Sequence, residues 1–163
     1  MQRGAFSYLN EAGLSIDTLF GILAAGKGKY VSAFTLLTAA SRVAAFAATQ
    51  NVKYGYLFYG VLNVSTGGGN LTSAAGITGG SPTVAHNFIA QNNTTGIAMA
   101  AASSSGGLTS TIAVTGTGDR GVLAFGTALK TTANGNLFVD INYSVGSGAA
   151  LRDGAAFYVW PIE

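Results

Sequence analysis

Residues 137–144 read Leu137-Phe138-Val139-Asp140-Ile141-Asn142-Tyr143-Ser144. Leu137, Val139, Ile141 and Tyr143 alternate with Phe138, Asp140, Asn142 and Ser144, which is the period of two expected of a half-buried β-strand. The same period runs upstream. Leu108, Ser110, Ile112 and Val114 lie on one side of a second segment, with Thr109, Thr111, Ala113 and Thr115 on the other. Tyr54–Val64 is dense in aromatic and β-branched residues, which suit a pleated surface. Thr83–Ala90, Gly96–Ala102, Gly121–Leu129 and Ala155–Trp160 read as further strands, and Tyr30–Thr38 and Val43–Thr49 as shorter ones. The alanines between Val31 and Gln50 would also suit a helix. No helical period accompanies them, so strands are the reading there.

Turn chemistry separates these segments. Gly67-Gly68-Gly69 and Gly79-Gly80-Ser81-Pro82 bound what reads as a loop, with Leu71 and Ile77 as its anchors. Ser103–Gly107, Gly116–Asp119 and Gly146–Gly154 read as loops or turns. Asn134-Gly135 is the strongest hairpin signal in the chain. About eight to nine strands divided by glycine-rich turns point to an all-β fold over residues 29–163. The form expected is an antiparallel β-sandwich, jelly-roll-like.

Residues 1–28 read as an N-terminal arm or docking helix. Ser15 can cap a helix over Ile16–Ala25, with Asp17 in its first turn. Leu19, Phe20 and Leu23 would share one face, and Gly26 and Gly28 would end the helix as a hinge. Such a segment is too short to hold its shape alone, so it must pack on its own body or on a neighbour.

The chain has 163 residues, 8 Lys+Arg against 6 Asp+Glu, and 9% charged residues. About 25% is ordinary for a soluble domain. Residues 54–118 contain no Asp, Glu, Lys or Arg. A net charge of +2 is too small to imply a nucleic acid or an anionic membrane as partner. No cysteine is present, which removes disulfides and thiolate chemistry. The start of the chain lacks a signal-peptide pattern, and no apolar run is long enough for a spanning helix.

Candidate chemistry is sparse. Gly21–Lys27 has the Gly-x4-Gly-Lys spacing of a phosphate-binding loop, but Gly28 stands where the hydroxyl for magnesium belongs, so a hinge is the better reading. His86 is the single histidine. It shares a strand face with Val84 and Phe88 and reads as a hydrogen-bonded interior or interface residue. A general base would need a serine elbow, and no Gly-x-Ser-x-Gly occurs. One histidine without cysteine is a poor zinc set, and no loop has the acidic density calcium needs. No cofactor, metal site or catalytic residue is assigned. The couplets Asp119-Arg120 and Arg152-Asp153 read as turn residues in local salt bridges or, more sharply, as intersubunit ion pairs. The aromatic clusters around Tyr56 and around Tyr158 and Trp160 read as core or interface packing.

Few charges and many small polar residues suit wide subunit contacts. The expectation is a structural assembly subunit forming a symmetric homo-oligomer, a trimer or higher. The setting expected is a virion: a bacteriophage capsid, decoration or appendage protein, with another shell or fibre protein as a further partner. The expected interface residues are Arg120, Arg152, Asp153, Tyr56, Tyr158 and Trp160. The alternative is a carbohydrate- or receptor-binding sandwich module.

Overall fold

The computed structural model describes residues 28–31, 34–35, 41–79, 81–93, 96–105, 108–130 and 132–162. Of the arm residues, Leu19, Phe20, Leu23 and Gly26 lie outside this set. Gly28 is the first residue of a strand. The described residues form twelve strands: β1 (Gly28–Val31), β2 (Phe34–Thr35), β3 (Ser41–Ala48), β4 (Lys53–Val64), β5 (Gly69–Ile77) and β6 (Thr83–Gln91), followed by β7 (Ile97–Ser105), β8 (Leu108–Val114), β9 (Gly118–Leu129), β10 (Gly135–Tyr143), β11 (Ala149–Leu151) and β12 (Ala155–Ile162).

These strands make two sheets in a sandwich-like arrangement. The larger has the order β1-β12-β4-β9-β6-β7, with β11 joining β4 and β2; the smaller has the order β3-β10-β5-β8. Every pairing is antiparallel. From β3 onward the chain changes sheet at every connection except the β6–β7 hairpin and the β11–β12 link.

The period-two pattern decides what faces the space between the sheets. On β4, Tyr56, Phe58, Leu62 and Val64 are buried; on β10, Leu137, Val139, Ile141 and Tyr143 are. Phe88 and Phe157 complete the larger sheet's inner face, and Leu71, Ile112 and Val114 that of the smaller. Each fully buried Leu, Val or Phe stabilises the fold by about 1.5–3 kcal/mol relative to exposure.

Three local expectations are corrected. The segment after Gly67-Gly68-Gly69 is not a loop but β5, central in the smaller sheet between β10 and β8. Its strand pattern was diluted by small residues: only Leu71 and Ile77 are bulky, while Ser73 and Ala75 also face inward. Asn134-Gly135 does not make a hairpin, because β9 and β10 lie in different sheets. The Asn134 side chain instead accepts a hydrogen bond from the Gln50 backbone at 2.8 Å. Gly135 opens β10 opposite Ala48, where a Cβ would collide with the Thr78 carbonyl. Within Gly146–Gly154, residues 149–151 form β11 against Leu62–Val64.

Candidate functional site

Two features stand out: a polar cluster inside the sandwich and an apolar sheet face outside it. The inner cluster begins with glycine. In one cross-strand row Tyr56 lies opposite Gly126, and Gly126 lies opposite His86. With no side chain on Gly126, the two rings meet across β9. The Tyr56 hydroxyl lies 2.8 Å from His86 Nδ1, and the rings are stacked with centroids 6.1 Å apart. From the opposite sheet, Ser73 Oγ lies 3.0 Å from His86 Nε2. Either tautomer satisfies the two contacts: Tyr56 donates to Nδ1 while Nε2–H donates to Ser73, or Nδ1–H donates to Tyr56, whose hydroxyl then donates to the Ala85 carbonyl at 3.3 Å, while Ser73 donates to Nε2.

Exposure is 0% for Tyr56, 1% for His86 and 0% for Ser73. Burial pushes the His86 pKa from 6.5 down to about 4, with a hydrogen bond from the ring to the Ser73 backbone acting in the opposite direction. Burial also pushes the Tyr56 hydroxyl far above the ordinary phenol range. The ring is therefore neutral at pH 7. A hydroxyl beside an imidazole has the atoms of a nucleophile and base. Here both are sealed between the sheets, and the geometry ties the two layers together.

Two buried cations close the ends of β9. The Arg120 guanidinium donates to the carbonyls of Asp119, Thr115 and Thr117 at 2.8–3.3 Å. Lys130 Nζ donates to the Thr78 carbonyl at 2.7 Å and more weakly to that of Asn134. Both residues are 2% exposed; Arg120 holds the turn that leads into β9, and Lys130 bridges the Thr78 and Asn134 segments.

The outward side of the larger sheet is different. Register places Trp160, Gly55, Thr127 and Ala85 in one row, and Tyr158, Leu57, Phe125 and Asn87 in the next. Tyr59, Leu123, Ile89 and Met99 form a third row; Val61 and Gly121, then Gln91 and Ile97, lie along the fourth. None of these sixteen residues is charged. Ile97 is 75% exposed, Met99 68%, Tyr59 41% and Val61 40%. Trp160 lies across Gly55, where a Cβ would meet its indole, and Tyr59 stacks on Tyr158 at 6.1 Å. A groove lined by Ile89, Leu123, Gly121 and Ile97 crosses the face, and nothing lies within 4 Å of a Cβ built on Gly121.

The outward side of the smaller sheet is more polar and carries charge, although Phe138, Ala74 and Ala113 also lie on it. Arg42 pairs with Asp140 at 3.0 Å and lies over the Phe138 ring at 4.0 Å. Asn70, Thr111 and Ala113 are exposed beside it.

The expected interface residues are thus split. Tyr56 and Arg120 are interior and cannot be reached by another subunit. Tyr158 and Trp160 lie on the apolar face. Arg152 and Asp153 are exposed at its end, where Arg152 pairs with Asp119 at 2.9 Å and Asn63 donates to the same carboxylate at 2.8 Å. The two charged couplets are therefore joined to each other, Arg152 to Asp119 across 33 residues. Asn63 and then Arg152 hold the Asp119 carboxyl below its usual value. Sequence reasoning missed Leu57, Val61, Leu123, Phe125, Ile97 and Met99. Their signal was present in β4, where both alternating sets are apolar.

Among the described residues no group of three or more His, Cys, Asp or Glu could hold a metal ion, and no helix is long and apolar enough to cross a membrane. No protein-family model matches the chain, and no curated protein is significantly similar to it. The class the structure defines is an antiparallel two-sheet β protein with one more polar and one apolar outer face.

Proposed function

We propose that the chain is a structural assembly subunit, a jelly-roll β-sandwich that forms a symmetric homo-oligomer in a virion, as a bacteriophage capsid, decoration or appendage protein. The jelly-roll reading is supported by the strand orders β12-β4-β9 and β3-β10-β5-β8, with a chain that alternates between the sheets. The observation that carries the assembly reading is the contrast between the two outer faces. Large contiguous apolar patches are rare on monomers and mark contact surfaces. The virion setting rests on composition: few charges, no cysteine and many Gly, Ala, Ser and Thr suit broad contacts repeated in a shell or fibre.

The test is the solution mass by light scattering at micromolar concentration. A defined trimer, pentamer or hexamer is the expected result; a clean monomer of 16.4 kDa overturns it.

A second reading, a carbohydrate- or receptor-binding module, is favoured by the Tyr59–Tyr158 stack beside Trp160. Trp160 is the only tryptophan, so glycans that bind this platform would change its fluorescence. A monomer with such a response would establish the second reading in place of the first.

A further inference from the structure

We infer that copies of this chain meet through the outward face of the larger sheet, with the groove over Gly121 receiving the Ile97–Met99 ridge of a neighbouring copy. The inference rests on the assembly reading and names the surface it uses.

The size of the face fits this role. From β12 to β7 there are four strand spacings, roughly 19 Å, and the four rows span roughly 20 Å along the strands. That is a backbone footprint of about 400 Å² before side chains are added, on the scale of the roughly 800 Å² each partner contributes to a standard interface. The charge pattern fits as well. The face has no charged residue to desolvate, and its ends carry Lys53 at one side and the mutually paired Asp119 and Arg152 at the other. Two copies therefore meet without like-charge repulsion. An anionic membrane or a nucleic acid would call for a basic rim, and Lys53 alone does not make one.

The relief of the face selects the kind of contact. Ile97 and Met99 stand at 75% and 68% exposure on the edge strand β7, while the floor of the groove at Gly121 is open. Ridge and groove lie side by side on one face, with Ile97 forming one wall of the groove. Two copies that face each other can each seat the other's ridge, so each gives and receives across a two-fold, isologous contact. The open space over Gly121 is what a neighbour's side chain fills.

Gly121 also supplies a clean test. It is exposed, a Cβ there touches nothing, and its backbone is outside the left-handed region. Gly121→Glu therefore leaves the isolated subunit intact, yet it places a carboxylate in the middle of the contact. Met99→Glu does the same from the ridge. Thr111→Glu, exposed on the more polar face of the smaller sheet, is the control. The readout is light-scattering mass, with circular dichroism and a cooperative melt to establish folding. The expected result is an oligomeric parent and an oligomeric Thr111→Glu, with Gly121→Glu and Met99→Glu falling to 16.4 kDa. The burial of an unpaired carboxylate should raise the dissociation concentration roughly a hundredfold or more. If both face variants keep the parent's oligomeric mass, this surface is not the contact, although the assembly reading stands. A monomeric parent overturns both. Should Gly121→Glu fail to fold, Met99→Glu decides.

Discussion

Between pH 6.5 and pH 4, acid should weaken this fold chiefly through one side chain. His86 is neutral in the folded chain because burial pushes its pKa from 6.5 to about 4. Between those values the unfolded chain binds a proton that the folded chain refuses, so stability falls as the pH is lowered. The contribution is fully present above pH 6.5 and is lost progressively toward pH 4. At about 1.4 kcal/mol per tenfold change in proton affinity, the full window is worth about 3 kcal/mol. Loss of hydrogen bonds is not the main cost. On protonation the Tyr56 hydroxyl can turn to the Ala85 carbonyl, 3.3 Å away, and accept from Nδ1. Desolvation of the charged ring is the cost. Asp119 acts in a lower window: its carboxyl is held below 3.8, so its contribution is present above that value and is lost below it. The assay is denaturant unfolding from pH 4.5 to 7 at fixed protein concentration, for the parent and for His86→Gln. The parent's stability should slope with pH, and the variant's should be nearly flat. Because His86 is the only histidine, its ring resonances need no assignment, and NMR should place the folded-state midpoint near pH 4. A midpoint at 6 or above, or equal slopes in the two proteins, refutes the reasoning.

Other outcomes follow from the same geometry. Gly126→Ala forces a Cβ against the Ala85 carbonyl and toward the Tyr56 hydroxyl, and should cost about 3 kcal/mol or prevent folding, as read from thermal or denaturant melts. Tyr143→Phe removes a hydroxyl that donates to the Thr66 carbonyl at 2.6 Å and accepts from the Gly69 backbone at 3.1 Å. It should cost about 1–3 kcal/mol in denaturant unfolding, because both groups lose their partner. Arg152→Ala should leave the melting temperature within about 2 °C of the parent's, since the pair is solvent-exposed, while carboxyl NMR shows the Asp119 midpoint rising toward 3.8.

Much of the architecture was legible in the sequence. Strands with one bulky apolar set, such as β8 and β10, announced both their existence and their inner face. β5 did not, because Ser73, Ala75 and the flanking glycines give no contrast in size or polarity. Asn134-Gly135 was a true turn signal with the wrong consequence: local chemistry bends the chain, but it does not say whether the next strand pairs with the last or crosses to the other sheet. The candidate surface was half legible. Tyr158 and Trp160 were expected at an interface and do lie on the apolar face. Tyr56 was expected beside them and lies inside, because residues two apart along a strand share a face and Tyr56 shares its own with Phe58. Arg120, read as a turn charge, points inward to loop carbonyls that no sequence pattern marks.

By itself the sequence determined an all-β chain with thin charge, and which residues of most strands share a side. It did so because side-chain direction in a strand depends only on residue parity. Tertiary structure alone decided that Ser73, His86 and Tyr56 meet across Gly126, that Asp119 finds Arg152, and that one sheet is apolar on both sides. Those outcomes depend on register and on which strands lie side by side, and these are set by long-range pairing among strands far apart in the chain.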